Sequence, residues 1–285
     1  MSYKSKPLKE MMPPRRKQIY EGQDKVLYEA SDPSTCVLYF KDETARGEGP
    51  ALPVKKSVIR SAHATIIGKG SINNRISELF LSRLTEIGVA NHFIKRLNMK
   101  EQLIRYAEPL AFQVSMHNAA CDHFATRLGL TQGTSFPHPI VEFTMKSREL
   151  RFPLVSQNHI TALGWAEEYE IDYLLRTVQR VNDFLYGQFL ALGIKLMSFT
   201  LEFGRIYLSD HPGDSQLIII DEITPDTCYL LDLTTNKRLD KSCLDSSDCK
   251  CLTSVYQEVA RRLGILSEGG PIDLREETSC GLELA

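Results

Sequence analysis

Between residues 171 and 203 the hydrophobic period of this chain changes from that of a helix to that of a strand across a single glycine. Ile171, Leu174, Leu175, Val178, Val181, Leu185 and Leu192 recur at the three- and four-residue spacing of one helical face, and Gly193 stands where a helix can end. KLMSFTLEF (195–203) then alternates with period two, which puts Met197, Phe199 and Leu201 on a core face and Ser198, Thr200 and Glu202 on a polar one. RIYLS (205–209) and QLIIIDE (216–222) read as two further strands of a meander, with DHPGD (210–214) as the turn between them. A long amphipathic helix feeding a meander restricts the chain to folds that mix helices and antiparallel strands.

The same reading extends in both directions. KVLYEA (25–30) and TCVLYF (35–40) are strand-like runs separated by the turn SDPS. Residues 41–70 are irregular, a composition that suits a mobile loop able to cover a site. Ile72, Ile76, Leu79, Phe80, Leu84 and Ile87 define a helix ending at Gly88, which closes an N-terminal lobe. The apolar stretch at 106–115 carries the crossing to a second lobe, where IVEFTMKS (140–147) alternates as a strand and Val255, Val259 and Leu263 mark a last helix before Gly264. The expected organisation is a disordered basic arm over 1–17, an N-terminal lobe over 18–107, a C-terminal α+β lobe over 108–267 and an acidic tail over 268–285.

Composition narrows the function classes. A chain of 285 residues can bury a substantial core. It contains no apolar run near the roughly 20 residues needed to span a bilayer and no secretory leader, so a soluble cytoplasmic protein is expected. A net charge of −2 gives no general attraction to nucleic acid. The seven cysteines then read as reduced thiols. Cys243, Cys249 and Cys251 cluster, but without the paired knuckles of a structural zinc site, and a plain loop is the expectation there. There is no GxSxG elbow or partnered CxxC to support hydrolase or redox chemistry.

Glu202 lies on the polar face of its strand and Asp221 ends the apolar run LIII in the same meander. Two such carboxylates could hold Mg²⁺, which takes hard oxygen ligands and commonly one or two carboxylates plus phosphates. By spacing alone they also fit solvated strand ends. Lys25, opening a strand after EGQD, could be a phosphate-binding point charge or an ordinary exposed lysine. GKG (68–70) lacks the frame of a phosphate loop. His117 and His123 flank NAACD at a spacing that fits no common zinc motif, so either is open to an anion-binding or a structural role.

Taken in order, IYEG-x-x-K-x-LYE, GKG-x-x-NNRISE, FIKRLNM-x-EQLI, RLGL, EF-x-x-KS-x-EL, HITALGW, RVNDFL, LEFG, DEITPD and ARRLGI, running over roughly residues 18–265, resemble the SAICAR synthetase family. The resemblance implies a two-lobed α+β fold of antiparallel sheets and packed helices, with ATP in the cleft between lobes. It also implies ATP- and Mg²⁺-dependent joining of a phosphoribosyl aminoimidazole carboxylate to the amine of aspartate, a step of purine biosynthesis. On that footing Lys25 contacts ATP phosphates, and Glu202 and Asp221 bind Mg²⁺.

The substrate words depart from the family pattern. HNAACDH stands for RNxAAGS, so His117 replaces an arginine and His123 a serine, both expected to hold the substrate phosphate, while Asn118 is retained. Tyr229 replaces the arginine of the DEhSPDxxRhWD word, and Ser198 and Thr200 replace an acid and a lysine of VDFKhEFG. Phe152 stands for the acid of a DP pair, and Gln23, followed by Asp24, for the first lysine of GKAK. Tyrosine, threonine and histidine match a phosphate dianion less well than arginine forks, so the expectation is a ligase of this family with an altered carboxylate acceptor and aspartate or a similar amine as donor. The alternatives are a non-catalytic nucleotide-binding paralogue and, further off, a phosphotransferase. A homo-oligomer is compatible with any of these.

Overall fold

The computed structural model describes residues 16–45, 63–208, 214–245 and 249–266. The expected tail, nearly all of the arm and the centre of the 41–70 loop lie outside the described residues.

The first sheet is built from β1 (Gln18–Glu21), β2 (Lys25–Glu29) and β3 (Thr35–Phe40), and a two-stranded pair, β4 (Glu43–Ala45) and β5 (His63–Thr65), follows it. Helix α1 (Lys69–Glu86) comes next, and β6 (Phe93–Arg96) and β7 (Glu101–Arg105) complete the first sheet in the antiparallel order β1-β2-β3-β7-β6. Periodicity alone gives no strand signal over the residues of β6 and β7. Their polar-rich words FIKR and EQLIR carry apolar side chains into the core at few positions, Phe93 against the main core and Ile104 buried in the first sheet's own, so the period-two signal is short.

The second sheet contains β8 (Glu108–Ala119), β9 (Ser135–Met145), β10 (Leu154–Val155), β11 (Ile194–Tyr207), β12 (Ser215–Ile220) and β13 (Cys228–Asp232), in the order β10-β9-β8-β11-β12 with β13 also on β11. Helices α2 (Asp122–Leu128), α3 (Gln157–Ala162), α4 (Glu168–Ala191) and α5 (Cys249–Arg262) accompany it. Along α4, Ile171, Leu174, Val178, Val181, Leu185 and Phe189 are buried on the sheet. Each such side chain removed from water contributes about 1.5–3 kcal/mol before the entropy of ordering it is counted. The apolar face of α1 enters this same core through Ile76, Phe80, Leu81 and Leu84, with the Phe80 and Phe189 rings 5.3 Å apart. The helix therefore ties the first sheet to the second as well as closing its own.

Two local expectations change. Residues 195–203 and 205–209 are not separate strands: β11 runs unbroken through Gly204 to Tyr207. That glycine serves close approach, since a Cβ there would lie 3.0 Å from both Ala107 Cβ and the Glu108 carbonyl oxygen. Met197 also does not share the face of Phe199 and Leu201. A bulge against β13 between Leu196 and Ser198 resets the alternation, leaving Leu196, Phe199 and Leu201 in the main core and Met197 in a small cluster with Ala119 and Cys121.

Candidate functional site

β12 and β13 lie on the same edge of β11 but pair with different halves of it, Glu202 to Tyr207 and Ile194 to Phe199 respectively. The connecting residues 221–227, DEITPDT, fill the gap beside Thr200, whose N–H donates to the Thr227 carbonyl at 3.0 Å. This concentrates three carboxylates in the middle of the sheet edge. Asp221 sits there at φ +72°, a left-handed conformation uncommon for a non-glycine residue, as the chain turns out of β12.

Lys25 reaches across from the first sheet. Its ammonium contacts Asp221 Oδ1 directly and Glu222 Oε1 at 2.8 Å. Burial works against this charge, but the two carboxylates outweigh it and raise the lysine pKa. Burial pushes Glu222 up to about 7 despite the lysine, whereas the Lys25 charge overcomes burial at Asp221 and holds that carboxyl low. His92 stands close by with its Nε2 buried and unpartnered. Burial, with help from the Lys25 charge, drops its pKa to about 4 against the opposing pull of Asp221.

A second ionic cluster lies beside the first. Lys69, only 1% exposed, donates to Asp24 at 2.8 Å and Asp226 at 2.9 Å. Asn73 donates to Asp226 at 2.7 Å, and the Tyr256 hydroxyl is also bonded to it. Nothing in the spacing of Lys69, Asn73, Asp226 and Tyr256 marks them as a unit in the sequence. The available signal was the polar GKGSINN at a helix start, unusual for a helix whose remaining turns are amphipathic.

Glu202 accepts a 2.7 Å bond from Lys146 and pairs in register with Ile220, the residue before Asp221. The two candidate metal carboxylates are therefore neighbours across adjacent strands, each already balanced by a lysine. Among the described residues no three His, Cys, Asp or Glu side chains converge as a ready-made metal site. A hard two-carboxylate set of this kind suits Mg²⁺ completed by phosphate and water oxygens.

The candidate acceptor residues form a ladder on the polar face of the second sheet. Tyr229, Ser198, His117 and Ile140 are successive register partners, and Thr200, Ser115 and Glu142 make the next rung. His117 is buried, with Nδ1 3.0 Å from the Ser198 hydroxyl and Nε2 3.4 Å from Glu142, the latter at ion-pair distance without hydrogen-bond alignment. Arg127 also pairs with Glu142, and Ser115 and Thr200 share a 2.8 Å hydrogen bond. Arg238 lies over the Tyr229 ring at 5.1 Å while bonded to Asp122 and Asp240. A cavity of about 620 Å³ opens beside Glu142, walled by Val141, Phe143, Leu154 and Val155.

Not every sequence candidate joins this ladder. Asn118 instead donates to Asn182 of α4 at 2.7 Å. His123 is exposed on α2 and has no hydrogen-bond or ion-pair partner among the described residues. Phe152 sits in a turn at φ +50°, and Gln23 is exposed between β1 and β2. Cys243 donates to the Arg238 carbonyl at 3.2 Å, whereas the side chains of Cys249 and Cys251 lie outside the described residues. No described helix is long and apolar enough to cross a membrane.

Two antiparallel sheets joined by α1, with lysines of one segment set against carboxylates of the other, define an α+β protein. The SAICAR synthetase family profile matches residues 18–263, and the chain belongs to that family. A phosphoribosylaminoimidazole-succinocarboxamide synthase of Ruegeria pomeroyi is 46% identical over 252 residues, covering 88% of this chain and 94% of the relative. The crystal structure of the Ehrlichia chaffeensis enzyme of the same name superposes with a TM-score of 0.78 at 34% identity, covering 88% of this chain and all of that one. A Type-2 SAICAR synthetase in complex with ADP gives 0.76 at 28% identity, covering 88% of this chain and 99% of that one.

Proposed function

We propose that this protein is an ATP- and Mg²⁺-dependent ligase that activates a carboxylate and joins it to the amine of aspartate, the reaction type of its family in purine biosynthesis, carried out in the cytoplasm. The observation that carries the reading is the placing of Lys25 against Asp221 and Glu222, one residue beyond the register partner of Glu202. In this reading Lys25 exchanges its carboxylate partners for nucleotide phosphates, and Glu202 and Asp221 hold the metal. Bound Mg²⁺ would supply charge neutralisation at the transferring phosphoryl group.

An acceptor carboxylate oxygen bonds to the γ-phosphorus as the bond to ADP breaks, giving an acyl phosphate. The neutral amine of aspartate then adds to the acyl carbon and phosphate leaves with the bonding pair, the amine proton passing to phosphate or water. Burial of the cleft groups strengthens the lysine's hold on developing phosphate charge. Replacement of the ladder residues at His117, Ser198, Thr200 and Tyr229 supports an acceptor different from the usual phosphoribosyl substrate.

A second reading, nucleotide binding without turnover, is favoured by the mutual neutralisation of Lys69 with Asp24 and Asp226 beside the cleft. Calorimetric titration with MgATP tests both. Binding together with amine-dependent ADP release that is lost in Glu202→Ala and Asp221→Ala supports the ligase, binding alone supports the second reading, and absence of binding rejects both.

A further inference from the structure

We infer that Asp24 is a positioning residue for nucleotide binding: through its bond to Lys69 it holds the β1 to β2 turn in place while Lys25 exchanges its carboxylate partners for phosphates. This rests on the ligase reading above and deepens it. The turn lies at an edge of the first sheet, where all four residues of β1 are exposed. It is closed by a 2.9 Å bond from the Gly22 N–H to the Lys25 carbonyl, and the Lys41 N–H donates to the Asp24 carbonyl at 2.8 Å. Two of its side chains reach beyond the sheet, Lys25 to Asp221 and Glu222, and Asp24 to Lys69 at 2.8 Å. In the proposed reaction Lys25 gives up the first of these contacts, and the Asp24 bond then holds the turn to α1.

The Lys69 end of that bond is fixed in place. Lys69 opens α1, its N–H donating to the Ile66 carbonyl at 3.0 Å, and the next N–H, of Gly70, donates to Asp42 Oδ1 at 2.8 Å. A Cβ on Gly70 would lie 2.5 Å from the Phe40 carbonyl oxygen, so the helix starts in contact with the end of β3. Phe40 is in turn the register partner of Lys25. The two lysines are thus rooted on either side of one residue, one reaching Asp221 and Glu222 and the other Asp226 and Asp24. Lys69 is only 1% exposed, and an ammonium so buried keeps its acceptors because water cannot replace them.

Asp226 alone balances the charge of Lys69. Asp24 is therefore not needed for neutrality, and its carboxylate is partly open to water. What its bond adds is restraint. A turn that is already ordered loses less conformational freedom when its lysine takes up a phosphate, so the restraint appears as affinity. The opposing effect is the repulsion between the Asp24 charge and phosphate, which pairing with Lys69 offsets at close range.

The test is calorimetric titration of the full chain with MgATP for wild type, Asp24→Ala and Asp24→Asn, together with amide hydrogen exchange at Gly22 and Lys41 in the nucleotide-free proteins. Lys69 keeps Asp226 in both variants, and asparagine keeps a side-chain oxygen for the ammonium. For Asp24→Ala the expected result is faster exchange at both amides and a Kd at least about fivefold weaker, with Asp24→Asn within about twofold of wild type. An Asp24→Ala protein that binds MgATP as tightly as wild type, or more tightly because a negative charge has gone, overturns the inference. Unchanged exchange at Gly22 and Lys41 in Asp24→Ala, or an Asp24→Asn protein that binds no better than Asp24→Ala, overturns it as well. Absence of binding by the wild type rejects the nucleotide reading itself and the role of Asp24 with it, so the wild-type titration tells the two failures apart.

Discussion

Lys25 and Asp221, 196 positions apart, form a direct ion pair between the first strand position after the β1 to β2 turn and the residue that leaves β12. Glu222 shares the same ammonium, so removing the lysine leaves two adjacent carboxylates in a buried place. For Lys25→Met the expected outcome is a loss of roughly 3 kcal/mol at neutral pH. The lone acids take up protons more readily in the folded state than unfolded. A carboxyl raised in this way stabilises at low pH and ceases to do so as pH rises through its folded value. The deficit relative to wild type should therefore grow between about pH 5 and pH 8, as read from urea unfolding at several pH values.

His92 gives the opposite pH signature to those orphaned acids. Its pKa near 4 lies below the ordinary 6.5 because burial and the Lys25 charge disfavour the imidazolium. The unfolded chain therefore binds a proton between these values that the folded chain refuses, and stability must fall as pH drops through the window. The full shift corresponds to about 3 kcal/mol. In His92→Gln the slope of unfolding free energy against pH between 6.5 and 4 should flatten, measured by denaturant unfolding.

The cluster around Lys69 is a stability element beside the Lys25 ion pairs. Asp226→Ala removes the acceptor shared by Lys69, Asn73 and Tyr256 and leaves a nearly inaccessible ammonium with Asp24 alone. A loss of about 3–5 kcal/mol is expected, against about 1–3 kcal/mol for Tyr256→Phe, which deletes a hydroxyl but keeps the ion pair. Thermal or denaturant unfolding of the two variants checks the ordering.

Gly204 tests the continuity of β11. Gly204→Ala places a Cβ 3.0 Å from the Glu108 carbonyl oxygen and the Ala107 Cβ, and backbone on the neighbouring strand cannot rotate away. The expected cost is about 1–3 kcal/mol, with any damage falling on the β8 to β11 pairing. Amide hydrogen exchange at Glu108 and at Gly204 and Arg205, which pair across β8 and β11, reads that pairing in the variant.

The fold was legible wherever one face of an element is strongly apolar. The α4 stripe from Ile171 to Leu185, the end at Gly193 and the polar side of β11 from Ser198 to Glu202 follow from periodicity alone. β6 and β7 were not legible, because most of their side chains are polar and β7 is made a strand by pairing with β3, more than 60 residues earlier, with β6 then pairing on β7. Met197 changed faces through a bulge imposed by β13, which no local pattern in LMSFTLEF announces. At the site, single acids such as Glu202 and Asp221 could be nominated from strand position. The Lys69 cluster could not, since it brings together side chains from four separate segments whose meeting depends on tertiary packing.

The proposed activity is that of an ATP-dependent ligase that joins aspartate to a carboxylate. It is tested most directly by mass spectrometry of products from MgATP, aspartate and a panel of carboxylates that includes the phosphoribosyl aminoimidazole carboxylate and its dephosphorylated nucleoside. The proposed activity predicts an aspartate amide formed with ADP and phosphate, abolished in Glu202→Ala, and at least about tenfold higher kcat/KM for another carboxylate of the panel than for the phosphoribosyl one, a transition-state difference of ~1.4 kcal/mol. Efficient turnover of the phosphoribosyl carboxylate in preference to every other carboxylate of the panel would contradict the altered acceptor, and absence of any aspartate amide across the panel would contradict the ligase itself.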